Sequence, residues 1–276
     1  MRYLIKLFRN TKLAYKIRRT PLLKNTVKSM YKIIMFPFTR SGIEVNIGGI
    51  APCKLDYHFV FSRYEDFGDR HNASFKKWLE CCREKIAVFD VGAHIGLYTI
   101  PASKVVAPNG IVFAFEPSET NKRYLERHLE YNNISNVVVL SYLVGEATKE
   151  KQLFYENRNV DPMNSLYPKK NINLYSKVYK DQISLDDFVR RYDVKPQVIK
   201  VDVEGSEYNV LKGARETINR CKPIIFLSIH PERLSLLNTS LDDVKNIISS
   251  FRYMVRDWEG REVKEFKFKE YVLTPD

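Results

Sequence analysis

Residues 88–98 read VFDVGAHIGLY, with an aspartate and two glycines spaced D-x-G-x-x-x-G at Asp90, Gly92 and Gly96. The apolar run 86–89 ahead of them reads as a buried strand, and a helical pattern starts near Ile95. Glycine has no Cβ and tolerates positive φ, so such a turn lets a ligand come close to the backbone. The helix that follows aims free amides at that ligand. A dinucleotide site needs G-x-G-x-x-G, whose second glycine admits a pyrophosphate. Here Ala93 and His94 stand where that glycine would be. An acidic turn suits a nucleoside that lacks a pyrophosphate and carries a cationic amino-acid tail, and S-adenosylmethionine (SAM) has that form. A βα turn with glycines and no ligand is the competing reading of this stretch taken alone.

A second apolar run, 111–115, ends at Glu116 and Pro117. An acid closing the second strand, some twenty residues past the glycine turn, is placed to accept hydrogen bonds from a ribose diol. Otherwise Glu116 is a solvated strand-end carboxylate. The register of the two signals favours the ribose.

Two further stretches read VIKVDVEGSE (198–207) and PIIFLSIHP (223–231). Together with VFDVGAHIG and FAFEPSETN, they resemble the FkbM-type SAM-dependent methyltransferases. The resemblance covers about residues 86–230; residues 1–80 carry no motif that can be placed. It implies a class I methyltransferase fold of the Rossmann-like kind and methylation of a hydroxyl on a sugar or polyketide-type small molecule. It does not identify the acceptor. The expected cofactor pocket comprises Asp90, Gly92, Ala93, His94, Gly96, Tyr98 and Thr99 around the turn, Glu116, Pro117 and Asn121 beyond the second strand, and Asp202.

SAM carries its own activated methyl group, so the protein mainly supplies placement. A sugar hydroxyl is a weak nucleophile until its proton is removed, so a general base is expected within hydrogen-bond reach. In an open α/β sheet the candidates lie at strand carboxyl ends. Asp202 and Glu204 close the fourth strand and His230 the fifth, where the family also tends to carry histidine. Asp202 lies nearest the expected methyl position; His230 has the better pKa for a base near neutrality. Each has a plainer reading: Asp202 as a cap on the turn before Gly205, His230 as an orienting or core histidine. Glu207 reads as a first-turn helix acid, and His94 as a wall of the cofactor pocket. Two acids and a histidine also suit a divalent cation, but no tight ligand spacing supports one. An (N/D)-P-P-(Y/F) motif often marks amine methylation after the fourth strand in related enzymes. Residues 202–207 read DVEGSE instead. An RNA or protein methyltransferase is thereby the second reading, and an O-methyltransferase the first.

From residue 86 the pattern alternates strand and helix, which implies a mostly parallel sheet with helices on both faces. Strands are expected near 86–90, 111–115, 137–142, 197–202 and 223–229, and helices at 95–106, 119–132, 207–220 and 241–251. A closing hairpin, 252–258 and 264–273, brings the sheet to seven strands. Residues 150–196 exceed an ordinary connection of about 2–6 residues and contain a short helix near 185–192. They are expected to recognise the acceptor, the plainer reading being a disordered surface loop. Ahead of the methyltransferase domain (85–276) lies a lead-in, 43–84. Its alternation at Ile43, Val45, Ile47 and Tyr57, Phe59, Phe61 around Gly48 and Gly49 predicts a hairpin, followed by a helix at 73–83.

The 276 residues suffice for one such domain and a short extension. The net charge of +12 is concentrated at one end. Residues 1–40 hold eleven Lys or Arg and no acid, while the other thirty-four basic residues face thirty-three acids. Leu, Ile and Phe interleave with those cations, so the extension (1–42) reads as basic and amphipathic. No window reaches the ~18 apolar residues a spanning helix needs, and none forms a clean secretory core. Attachment to an anionic membrane surface is the expectation, with an arm packed on the core as the alternative. Nucleic acid is disfavoured because the segment lacks the Gly, Ser and stacking-aromatic pattern of RNA-binding arms. Cys53, Cys81, Cys82 and Cys221 form no C-x-x-C pair, so neither a disulfide framework nor a zinc site is expected. A reducing cytoplasmic setting follows, peripheral on the inner membrane face.

Overall fold

The computed structural model describes residues 41–276, except 60, 61, 63, 69–71, 158, 161–163, 168–174, 264 and 268, together with Thr20, Thr26, Ser29, Met30 and Ile33. The basic arm therefore falls almost wholly outside the described residues.

The lead-in holds β1 (Ile43–Ile47), β2 (Ala51–Leu55) and α1 (Phe75–Cys82). β1 and β2 pair antiparallel, with Ile47 opposite Ala51. The expected second strand at 57–61 is displaced. Gly48 and Gly49, both at positive φ, turn the chain so tightly that pairing resumes at Ala51. Tyr57–Phe59 then forms a 3-10 turn.

The domain continues with β3 (Ala87–Val91), α2 (Thr99–Ser103), β4 (Ile111–Phe115), α3 (Glu119–Tyr131), β5 (Val137–Leu140), β6 (Leu143–Val144), β7 (Lys149–Asn157), β8 (Tyr175–Ile183) and α4 (Leu185–Tyr192). It ends with β9 (Val198–Val201), α5 (Glu207–Lys212), α6 (Arg215–Cys221), β10 (Ile224–Ile229), α7 (Pro231–Leu234), α8 (Leu241–Ser250), β11 (Tyr253–Arg256) and β12 (Lys269–Pro275). The main sheet runs β11-β12-β10-β9-β3-β4-β5. Strands β5, β4, β3, β9 and β10 are parallel, and β12 is antiparallel to both its neighbours. This is the seven-stranded class I methyltransferase sheet, closed by the expected hairpin. The order reverses between β3 and β9, which places the ligand crevice at their carboxyl ends.

Alternate residues of the parallel strands feed two apolar layers. Phe89, Phe113, Ile199 and Leu227 face one layer with α4, α5 and α8. Val88, Val112, Ala114 and Val198 face the other with the lead-in, α2 and α3. Strands buried on both faces read as continuous apolar runs, which is why they stand out in the sequence.

Three expectations are adjusted. The helix predicted at 95–106 shrinks to α2, because Pro101 is tolerated only in a first helical turn. The helix predicted at 207–220 breaks into α5 and α6. A Cβ at Gly213 would lie 2.1 Å from the Gly145 carbonyl oxygen, so the backbones touch there. Among the described residues of 150–196, β7 and β8 pair antiparallel over a long register, and β6 joins β8 in a three-stranded sheet.

His128 of α3 ties the lead-in to the glycine turn. Its Nε2 accepts from the Asp56 N–H (2.9 Å), so Nδ1 carries the proton and donates to the Ile95 carbonyl (2.9 Å). Burial pushes its pKa down to about 4. The folded protein then binds fewer protons than the unfolded chain between pH 6.5 and 4, so stability falls as pH drops through that window. Urea unfolding should show roughly 2 kcal/mol lost to this residue between pH 7 and pH 5. His128→Gln should flatten that acid limb. An identical slope in the two proteins refutes the assignment.

Candidate functional site

The glycine turn is held against β4 by backbone. The amides of Gly92 and Ala93 both donate to the Phe115 carbonyl at 3.0 Å. Gly92 has φ +86°, and a Cβ there would lie 1.9 Å from the Asp202 carbonyl oxygen. No other residue lets the β3 turn and the β9 end approach so closely. His94, also at positive φ (51°), donates its amide to Glu116 Oε2 (2.7 Å).

Glu116 is buried and collects three N–H donors. Besides His94, Ser118 N (2.9 Å) and Asn121 Nδ2 (3.3 Å) donate to Oε1. Burial outweighs those donors and pushes its pKa up to about 7. A carboxylate offers about four acceptor positions, so Oε2 keeps room for a further donor. Glu116 lines a cleft of ≈ 580 Å³ with Gly92, His94, Pro117, Asn121 and Asp202. The far wall comes from the hairpin region, through Phe154 and the segment Asn164 to Leu166.

The other expected cofactor residues do not line this cleft. Asp90, Ala93, Gly96, Tyr98 and Thr99 are all buried behind the turn. Asp90 accepts from Thr99 Oγ1 (2.6 Å) and faces Lys200 Nζ at 3.8 Å. The Tyr98 hydroxyl donates to Glu270 Oε1 (2.7 Å). Gly96 is required by packing, since a Cβ would lie 2.6 Å from Leu125 Cδ1. These five shape the turn from behind.

At the β9 end, Asp202 Oδ2 accepts from the buried Lys200 ammonium at 3.1 Å. Burial disfavours the ammonium, but Asp202 and Asp90 outweigh it and raise the Lys200 pKa. Burial likewise pushes Asp202 up, and Lys200 and His230 more than reverse that, leaving it below the usual carboxylate range. Lys200 was not singled out from the sequence. The available signal was one cation inside the apolar run VIKV.

Residues 202–207 form a tight loop. Glu204 sits at φ +56° and Gly205 at +109°, where a Cβ would press on Arg233 Cβ at 2.6 Å. The loop buries Glu207, whose Oε1 accepts from Gly205 N (2.9 Å) and from His230 Nδ1 (2.7 Å). Glu207 thus orients His230 and does more than sit in a first helical turn. The His230 Nε2 edge lies 3.8 Å from Asp202 Oδ1 and 3.9 Å from Glu204 Oε2, both residues of the cleft lining. Burial lowers the His230 pKa, but Glu207, Asp202 and Glu204 outweigh it, and the net shift is upward. The Glu207 carboxylate on Nδ1 fixes the ring so that Nε2 is directed toward the two carboxylates of the cleft lining, an orientation that suits a general base.

Asp202, Glu204 and His230 offer three donor atoms within 4.8 Å of one another, close enough for a divalent cation. Their carboxylates are already matched by protein cations: Lys200 on Asp202, and Arg233 Nε on Glu204 at 2.9 Å. Two fixed positive charges at contact oppose a third, so no step is assigned to a metal.

A family model described as "Methyltransferase FkbM domain" matches residues 90–255. The hexuronic acid methyltransferase AglP of Haloferax volcanii is 28% identical over 153 residues, 55% of this chain and 59% of that protein. The methyltransferase sdnD of Sordaria araneosa is 29% identical over 158 residues, 47% of this chain and 60% of that protein. The chain thus spans about three-fifths of the curated relatives it matches. The solved methyltransferase FkbM of Methylobacillus flagellatus KT superposes with a TM-score of 0.45 at 25% identity, over 70% of this chain and 44% of that one. The match of 90–255 runs from the aspartate of the glycine turn through the 202–207 loop and His230 to the closing hairpin. Over more than half its length, and through every element that builds the cleft, this chain belongs to the FkbM methyltransferase family.

Proposed function

We propose that the protein transfers a methyl group from SAM to a hydroxyl of a saccharide or related small molecule. The observation that carries this is the Glu207–His230 pair, set beside Asp202 and Glu204 of the cleft that also holds Glu116. A cofactor-binding carboxylate and an oriented base then act across one space. SAM, when bound, supplies the activated methyl group. Glu116, with Asn121 beside it, accepts from the ribose hydroxyls, and His94 and Pro117 wall the cofactor. Asp202, kept anionic by Lys200, faces the cationic part of the ligand. His230 removes the acceptor proton at Nε2, and Glu207 stabilises the imidazolium that results. The hairpin β7–β8 and the segment Asn164 to Leu166 cover the cleft and shape acceptor entry. The name of the Haloferax volcanii relative, a hexuronic acid methyltransferase, supports a sugar acceptor.

The test combines calorimetry with label transfer. SAM should bind, and label from methyl-labelled SAM should appear on free or lipid-linked saccharides, uronic acids included. Absence of SAM binding removes the reading. Label found only on RNA or protein installs the alternative in which the basic arm holds an anionic partner.

We further propose that residues 1–40 bring the enzyme to an anionic membrane surface on the cytoplasmic side. Among the described residues no helix is long and apolar enough to cross a membrane. Eleven cations with interleaved Leu, Ile and Phe suit surface attachment. In 0.1 M salt the full chain should float with anionic vesicles, release steeply as salt rises, and ignore neutral vesicles. A full-length protein that stays soluble beside anionic vesicles shows the arm to be structural.

A further inference from the structure

β7 separates two spaces. Phe154 faces the cofactor cleft, while its neighbours Leu153 and Tyr155 face a second cleft. This outer cleft holds ≈ 880 Å³ of empty space open to solvent, between the hairpin and α5. The two are joined. A saddle lined by Ser165, Leu166, Tyr167, Glu204, Arg233 and Leu237 shares residues with both. The saddle passes Glu204, which lies beside the His230 edge.

The wall between the two clefts is held by hydrogen bonds. Tyr155 and Ser165 exchange two backbone hydrogen bonds, 2.9 and 3.2 Å. Ser165 Oγ donates to the Tyr167 carbonyl (2.8 Å), and Asn164 Oδ1 accepts from the Asn157 amide (2.8 Å). On the outer wall the Gln182 amide is held by the Ala147 carbonyl (2.7 Å) and packs against Gly145.

The lining chooses the ligand class. Gln152, Gln182 and Asn209 present side-chain amides, and Tyr155 and Tyr167 present rings with hydroxyls. Amides both donate and accept, as sugar hydroxyls do, and tyrosine offers an apolar face with a polar tip. Among the described residues of the lining, Lys149 is the one cation and Glu146 the one acid.

We propose that the outer cleft is an extended acceptor subsite. It holds the remainder of an oligosaccharide of two or more residues whose end passes the saddle to His230. This rests on the glycan reading above. The substrate class is thereby narrowed to chains, single sugars being poor acceptors.

The experiment measures label transfer from methyl-labelled SAM to methyl glycosides of single sugars and to the matching di- and tetrasaccharides, with neutral and uronic termini. For an accepted terminus, the full-length protein should show kcat/KM at least tenfold higher on the tetrasaccharide than on the single sugar. Tyr167→Ala and, separately, Asn209→Ala should bring that ratio toward one. Equal kcat/KM for single sugars and chains, or an undiminished ratio in both variants, overturns the subsite and leaves the methyltransferase reading standing. If SAM binds by calorimetry and no saccharide is labelled, the glycan reading falls and this inference with it.

Discussion

Replacing His230 by alanine is expected to lower kcat by about 10²–10⁴, the usual contribution of a positioned proton acceptor, with SAM affinity retained. The hydroxyl proton must leave as the carbon–oxygen bond forms, and in the function proposed above His230, oriented by Glu207, accepts it. Asp202 lies as near but is held well ionised by Lys200, which lowers its proton affinity. The pH profile separates the two. A base acts in its neutral form, and the His230 pKa is raised above 6.5 by Glu207, Asp202 and Glu204. kcat/KM should therefore climb with pH through a limb above 6.5. Glu207→Gln keeps an acceptor toward His230 Nδ1 and Gly205 N but removes the charge. It should shift that limb to lower pH and reduce kcat. A limb below the usual carboxylate range, or near-normal turnover of His230→Ala, means that Asp202 or placement alone drives transfer.

Removal of Glu116 should weaken SAM binding by tenfold or more. Charge-assisted bonds contribute about 1.5–3 kcal/mol each, and Glu116→Ala also frees the His94 amide that the carboxylate holds. The ionisation of Glu116 supplies a second readout. Burial places its pKa at about 7 in the free protein. Hydroxyl donors favour the carboxylate form, so the ligand should lower that pKa and expel a proton. Calorimetry at pH 6.5 in buffers of different ionisation enthalpy should show fractional proton release on binding SAM, fading by pH 8.5. Glu116→Gln, which cannot ionise, should abolish it. Unchanged affinity in Glu116→Ala removes the ribose assignment. Persistence of proton release in Glu116→Gln moves the titrating group elsewhere.

What could be read from the chain alone was local. Four of the five parallel strands, β3, β4, β9 and β10, announced themselves as apolar runs because both their faces are buried. The glycine turn, Glu116 and the 202–207 loop followed directly at their ends, where an α/β sheet keeps its chemistry. The family resemblance rested on those same short segments. Errors entered where one residue overrode a pattern: Pro101 shortened a helix, Gly213 broke another, and the tight turn at Gly48 and Gly49 moved a strand.

What tertiary structure decided was partnership across the sheet. Asp90 and Lys200 are register neighbours on β3 and β9, more than a hundred residues apart in sequence. Their proximity makes a conspicuous turn aspartate a partner of a buried lysine and not part of the cleft wall. Glu207 and His230 are twenty-three residues apart and meet only because the 202–207 loop folds under β10. The stretch 150–196 carried no periodicity that named it a hairpin, since β7 and β8 expose much of their length to solvent. Burial leaves a mark on residue type, and that mark is legible one strand at a time. Which charge faces which depends on strand register and loop path, and those exist only once the sheet is closed.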